Sequence, residues 1–154
     1  MSSKTPKIAV RRDRKNLAIL LREPFRAGTE VLHRRFAERG HAQIRPPHGN
    51  VMQFLDAGGT RVSVLAERAQ MTKQSMAELV AHLERLGYVE RISDPSDRRA
   101  KLVRVTPRGR ELYGIARLVV EEIEAEWTTL LGKAKMRQLR NLLEELNARL
   151  EATR

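Results

Sequence analysis

Residues 84–109 read Glu84-Arg85-Leu86-Gly87-Tyr88-Val89-Glu90-Arg91-Ile92-Ser93-Asp94-Pro95-Ser96-Asp97-Arg98-Arg99-Ala100-Lys101-Leu102-Val103-Arg104-Val105-Thr106-Pro107-Arg108-Gly109. Gly87 is placed to end a helix, and residues 88–92 and 102–105 are rich in strand-forming types. Between them the tip, residues 93–99, has the turn chemistry of Asp94-Pro95 and an outward pair, Arg98 and Arg99. Thr106-Pro107 then marks a helix start twice over, as N-cap and as first-turn proline. Working upstream, Thr72 is an N-cap for a helix reaching about Leu86, with the stripe Met76, Leu79, Val80, Leu83 and Leu86. Before it, residues 61–69 carry Val62, Leu65, Ala66 and Ala69 at helical spacing, and Met71 falls in the turn. Helix, turn, helix and basic hairpin is the order of a winged helix-turn-helix. The spacing therefore predicts a mainly α fold with a small β-hairpin wing, whose second helix enters a major groove while the wing reaches a neighbouring minor groove.

The flanks are helical. From Leu17 the pattern Leu17, Leu20, Leu21, Gly28, Val31, Leu32 and Phe36 marks one face, and Pro24 within it predicts a kink or a helix that starts there. Pro46-Pro47 opens a short helix carrying Val51, Phe54 and Leu55, closed by Gly58-Gly59. After Thr106, Leu112, Ile115, Val119, Ile123, Trp127 and Leu130 hold helical spacing up to Gly132, and Met136, Leu139, Leu142, Leu143, Leu146 and Leu150 form a last helix. These terminal helices carry more apolar surface than one small winged lobe can cover. Self-association into a homodimer is the economical cover, and an intramolecular bundle of the first, fifth and sixth helices is the alternative. The expected organisation is a flexible basic arm over 1–15 and one domain over 16–151. Within that domain 61–106 is the DNA-binding lobe, and 16–40 and 107–151 are dimerisation helices.

Charge narrows the partner. The chain has 30 Lys plus Arg against 19 Asp plus Glu, a net +11. It is unevenly placed: +5 over residues 1–15, +2 over 16–60, +5 over 61–110 and −1 over 111–154. Positive charge gathered on the arm and the winged lobe points to a polyanion, double-stranded DNA first. With no cysteine, disulfides, zinc ribbons and thiol redox sensing are excluded. No apolar run is long enough to span a bilayer and no signal-peptide core is present, so a cytoplasmic, nucleoid-associated protein without a membrane partner is expected. The four histidines, His33, His41, His48 and His82, lack zinc-site spacing, each reading as a surface or pocket residue, and no phosphate loop or metalloprotease helix appears. No enzyme, cofactor or metal is expected.

The helix-turn-helix, the run Glu84 onward, the tip Asp94-Pro95-Ser96-Asp97-Arg98-Arg99 and the run Val103-Arg104-Val105-Thr106-Pro107-Arg108-Gly109 together resemble the multiple-antibiotic-resistance regulator (MarR) family, over roughly residues 16–151. The family's Asp-x-Arg, five residues, Leu-Thr pattern falls on Asp97, Arg99, Val105 and Thr106, with Val105 where Leu is usual. The resemblance implies a homodimeric bacterial or archaeal transcription factor, often a repressor released by a small aromatic ligand.

On such a fold Lys73, Gln74 and Ser75 lie in the first turn of the recognition helix, where base edges are met, and Gln74 can pair with adenine. Thr72 and Ser75 are within reach of phosphates, and Arg61 and Lys101 are further phosphate candidates. Glu78 departs from the family pattern; it either accepts from a cytosine amino group or pairs with Arg85 or His82. One of Arg98 and Arg99 enters the minor groove, and by resemblance Asp97 shapes the wing by a salt bridge to Arg99. The resemblance also implies a ligand cleft between the dimer helices and the winged lobe, lined by Phe25, His48, Met52, Tyr113 and Arg117, suited to an aromatic or anionic ligand. The expected function is sequence-specific regulation at a pseudo-palindromic operator. The alternatives are a nonspecific architectural DNA-binding protein and a winged-helix protein-interaction module, whose binding would survive charge reversal at Arg98 and Arg99.

Overall fold

The computed structural model describes residues 15–153. The arm expected over 1–15 lies outside the described residues, Lys15 excepted. Six helices and one hairpin follow in order: α1 (Leu17–Glu38), a 3-10 turn (Pro46–His48), α2 (Gly49–Met52), α3 (Val62–Arg68), α4 (Lys73–Arg85), β1 (Val89–Asp94), β2 (Asp97–Val105), α5 (Pro107–Leu131) and α6 (Lys133–Ala152). This is the mainly α winged helix-turn-helix that the sequence predicts.

The caps explain most boundaries. Asn16 starts α1 by accepting the Ile19 N–H at 2.9 Å. Thr72 accepts the Ser75 N–H at 3.1 Å, and Thr106 accepts that of Gly109 at 3.1 Å. Each satisfies an orphan donor of a first helical turn. Gly87 (φ +77°) follows α4, and Gly132 (φ +84°) separates α5 from α6, both in backbone conformations costly for any residue with a Cβ.

Two expectations are corrected. Pro24 does not begin α1; the helix runs through it, because Asn16 caps it eight residues earlier and Leu32 and Phe36 anchor its far half in the core. The helix opened by Pro46-Pro47 ends at Met52 instead of carrying Phe54 and Leu55, which sit in the following turn yet still pack on the core.

The core lies in the winged lobe. Val51, Leu65, Met76, Val80, Leu83, Tyr88 and Val103 are fully buried, joined by Phe36 of α1 and Leu112 of α5. The stripe read from α4 supplies three of these. Thr60 joins the outer edge of β2 through an isolated antiparallel bridge, exchanging two backbone hydrogen bonds with Val103, each 2.9 Å. α1 packs along α5, burying Val119 and Ile123, whereas α6 touches α5 and buries no residue of its own.

Candidate nucleic-acid interface and adjoining cavity

The first turn of α4 is presented to solvent. Thr72, Lys73, Gln74 and Ser75 are all exposed, while Met76 behind them is fully buried. The Thr72 hydroxyl also donates to Ser75 Oγ at 2.9 Å, fixing both hydroxyls at the positive end of the helix. Further along, Glu78 accepts a long 3.5 Å bond from Gln74 and makes no salt bridge among the described residues. The sequence reading gave it a cytosine amino group, or else Arg85 or His82, as its partner; within the protein it meets Gln74 of the preceding turn and neither of the other two.

The hairpin tip is tighter than the sequence suggests. Only Pro95 and Ser96 separate β1 from β2, and the register passes from Ser93 opposite Lys101 directly to Asp94 opposite Asp97. Arg98, Arg99 and Ala100 are left without a partner on β1. That bulge is what throws the two arginines outward, where both are exposed.

Asp94 holds the tip, and the sequence reading missed it. It is buried, and its Oδ1 accepts from the Ser96 amide at 2.8 Å and the Ser96 hydroxyl at 2.6 Å, while its Oδ2 accepts from Arg61 Nε at 2.8 Å and Nη2 at 2.5 Å. Asp-Pro-Ser is a recognisable turn that caps its own backbone, but nothing in the sequence joins it to Arg61, 33 residues away. Arg61 therefore braces the wing to the start of α3, its guanidinium already committed to a carboxylate. Asp97 does shape the tip, though not by a salt bridge to Arg99: its Oδ1 accepts the Arg99 backbone N–H at 3.0 Å, and its Oδ2 lies 3.8 Å from Arg61. Among the described residues Lys73, Arg98, Arg99 and Lys101 form no ion pair, and Lys101 donates only to Ser93 at 3.1 Å. Those four cations remain available to a phosphate.

The bonds from Ser96 and then Arg61 hold the Asp94 carboxyl down from 3.8 to about 2. A depressed carboxyl contributes its full stabilisation above the ordinary value and loses it as the pH falls through that value towards the folded one. The Ser96 amide resonance, reporting on Asp94, should therefore stay constant from pH 7 down to about 4 and shift only as the pH approaches the folded value of about 2. At pH 7, Asp94→Asn is expected to weaken DNA binding by about tenfold, the scale of one well-made contact.

Behind this face a cavity of about 610 Å³ opens between α1, the turn with α2, and α5. Phe25, His48, Met52 and Tyr113 line it as expected; Arg117 does not, lying exposed on α5 one turn beyond Tyr113 and turned further from the buried Leu112 and Val119. The lining holds no formally charged side chain; its polar groups are Thr29, His33, His48, Asn50, Gln53 and Tyr113. Tyr113 donates to the Met52 carbonyl, and burial pushes its phenol up from its ordinary value. His33 was not foreseen here, though Phe25, Thr29, Leu32, His33 and Phe36 share one face of an unbroken helix. Its Nδ1 donates to the Ile44 carbonyl at 3.0 Å, which leaves Nε2 as the acceptor of the neutral ring. Two histidines are core rather than surface groups: His48 is 2% exposed, and His41, 4% exposed, meets the Tyr88 hydroxyl at 2.6 Å.

Among the described residues no group of three or more His, Cys, Asp or Glu is placed to hold a metal ion, and no helix is long and apolar enough to cross a membrane.

Comparisons with known proteins fit this geometry. The model of the MarR family matches residues 42–100. The homoprotocatechuate degradative operon repressor of Escherichia coli is 36% identical over 88 residues, 54% of this chain and 57% of that repressor, so the chain spans little more than half of that relative's length. The crystal structure of MarR superposes with a TM-score of 0.76 at 23% identity, covering 92% of this chain and 95% of MarR. CouR from Rhodococcus jostii RHA1, solved bound to p-coumaroyl-CoA, superposes with a TM-score of 0.65 at 24% identity, covering 86% and 92% of the two chains.

Proposed function

Since this chain belongs to the MarR family of DNA-binding transcriptional regulators, we propose that it is a homodimeric repressor that reads a pseudo-palindromic operator and is released by a small aromatic or anionic ligand. The observation that carries specificity is the pairing of two presentations on one lobe: the exposed Lys73-Gln74-Ser75 turn, and the Arg98-Arg99 tip braced by Arg61 and Asp94. A side chain that discriminates bases must be held by its support, and here both are. In this reading 61–106 is the DNA-binding lobe, 16–40 and 107–151 form the dimer, Lys73, Gln74 and Ser75 meet base edges, and Thr72, Ser75 and Lys101 contact phosphates. Arg61 acts by holding the wing.

Ligand relief rests on the cavity. An apolar chamber of about 610 Å³ with a few convergent polar groups has the size and lining of a small-molecule site. CouR's p-coumaroyl ligand supports an aromatic occupant, and the homoprotocatechuate operon repressor, named for an operon that degrades an aromatic acid, supports the same class. With Arg117 outside, an acidic ligand meets the histidines and Tyr113 instead of a guanidinium.

Fluorescence anisotropy against genomic fragments and a random duplex tests the reading. A selected fragment should bind about a thousandfold or more tighter than the random duplex at physiological salt. Equal affinity for all of them overturns sequence-specific repression in favour of architectural binding. Arg98→Ala or Arg99→Ala should weaken binding and lower the slope of log affinity against log salt by about one phosphate. Simple hydroxylated benzoates added to the complex should release it; release by none of them confines the reading to DNA binding alone.

A further inference from the structure

His48 and His82 join the wall of the cavity to the recognition helix. His48 lines the cavity at the end of the 3-10 turn; His82 stands near the end of α4, one face of which is buried through Met76, Val80 and Leu83. His48 Nε2 and His82 Nδ1 are 2.8 Å apart, with ring centroids at 4.8 Å. The backbone N–H of Arg45 reaches His48 Nδ1 at 3.0 Å. That third contact decides the tautomers, because an amide N–H only donates. His48 Nδ1 is therefore an acceptor, His48 carries its proton on Nε2 and donates it to His82, and His82 keeps its own proton on its outer nitrogen.

We propose that this chain, Arg45 amide to His48 to His82, is a proton-gated tie that holds α4 in its DNA-binding position and is released on acidification. Each bond of the chain ends on an imidazole lone pair. A proton added at His82 Nδ1 sets two donors against each other across 2.8 Å; a proton added at His48 Nδ1 does the same against the Arg45 amide. Either event unpairs a partly or fully buried group at the junction of cavity and recognition helix. The titratable and charged groups facing His48 are His82 of α4, Arg45 of its own segment, His33 of α1 and Tyr113 of α5. None is a carboxylate that would stabilise an imidazolium, and burial first, then His82, Arg45 and His33, hold the His48 value below its ordinary 6.5. On α4, Glu78 lies one turn before His82 and is engaged by Gln74. A His with a depressed folded value stabilises its arrangement above the ordinary value and loses that contribution as the pH falls through it. The tie is thus complete at pH 7.5 and weakens below about 6.5.

The sign is diagnostic. Protonating exposed imidazoles adds positive charge and tightens DNA binding, so a protein without the tie binds better in acid. With the tie, affinity falls. This inference rests on α4 being the DNA-reading helix, and the experiment separates the two. DNA binding by the full chain is measured without ligand, at constant ionic strength, from pH 7.5 to 5.5, on the genomic fragment bound most tightly at pH 7.5. Far-UV circular dichroism at each pH confirms an unchanged fold. The dissociation constant should rise by about tenfold, the scale of one coupled proton per pH unit. His82→Asn, whose Oδ1 stands where Nδ1 was and does not titrate, should bind within about twofold of the parent at pH 7.5 and lose most of the rise. His82→Leu should bind at pH 7.5 about as weakly as the parent at pH 5.5, with little further change. Tightening of the parent in acid, or His82→Leu tracking the parent at every pH, overturns the tie. If no fragment is bound at pH 7.5, the repressor reading fails, and imidazole nitrogen NMR decides the tie alone. His48 protonated on Nε2 at pH 7.5, with a titration altered by His82→Leu, supports it; the other tautomer, or an unaltered titration, overturns it.

Discussion

Gly109→Ala should cost the protein most of its stability. By helix propensity alone the change is favourable by about 1 kcal/mol, since Gly109 sits in the first turn of α5. Its surroundings reverse the sign. A Cβ there would lie 2.2 Å from the Tyr88 carbonyl oxygen and 2.5 Å from Val105 Cγ2. The first is backbone and cannot swing aside, because Tyr88 is fully buried and its carbonyl accepts the Thr106 N–H at 3.1 Å. The Thr106 hydroxyl also donates to the Gly87 carbonyl at 2.6 Å, so α5 is clamped to the end of α4 at this point. Overpacking of this kind costs about 3 kcal/mol or more, against a total of roughly 5–15 for a domain. The expected result is a melting temperature about 10 °C lower, or no soluble protein. Gly114→Ala is the control: in the same helix its Cβ meets nothing within 4 Å, and it should raise stability by about 0.5–1 kcal/mol. Thermal unfolding of the pair by circular dichroism checks both, and equal shifts would show that the clamp at Tyr88 gives way.

Gly109 also marks where sequence reading stops. Periodic and local signals were legible: the α4 stripe, the caps Thr72 and Thr106, the stops at Gly87 and Gly132, and the two strands of the wing all depend on residues within a few positions of one another. The exposed Lys73-Gln74-Ser75 turn and the outward Arg98 and Arg99 followed from them. What was not legible depends on elements far apart in the chain. Arg61 looks like a free phosphate contact until the fold brings Asp94 to it across 33 residues. Arg117 looks like a cavity residue until the rotation of α5 is fixed by Leu112 and Val119 in the interior. His33, His48 and His82 read as isolated histidines, and only packing aligns them around one cavity and one helix. The sequence overstates α2 because Val51, Phe54 and Leu55 keep helical spacing, while Phe54 and Leu55 pack, partly buried, from a turn beyond the helix.

If the chain is the proposed homodimer, replacing Leu142 and Leu146 together with glutamate should leave a monomer and weaken binding to the proposed operator by on the order of a hundredfold, the scale of lost avidity. Among the described residues, the large apolar side chains left exposed are confined to α1, α5 and α6: Leu17, Leu20, Leu21 and Phe25 on the first, Leu118, Leu130 and Leu131 among those on the second, and Leu139, Leu142, Leu146 and Leu150 on the third. None is on the winged lobe. A patch segregated in this way is the mark of a surface meant for a partner, and two copies of the same face satisfy each other by two-fold symmetry. Leu142 is 57% exposed and Leu146 39%, and α6 contributes nothing to the core cluster, so the two carboxylates disturb little within one protomer. The winged lobe should therefore keep its fold, and each monomer should still recognise a half-site. Sedimentation velocity reads the change in mass, and anisotropy should show a salt slope about half that of the parent, because half the phosphates are engaged at once. A monomer that binds the full operator undiminished would place all recognition in one lobe. A dimer that survives both substitutions would move the interface to the apolar faces of α1 and α5.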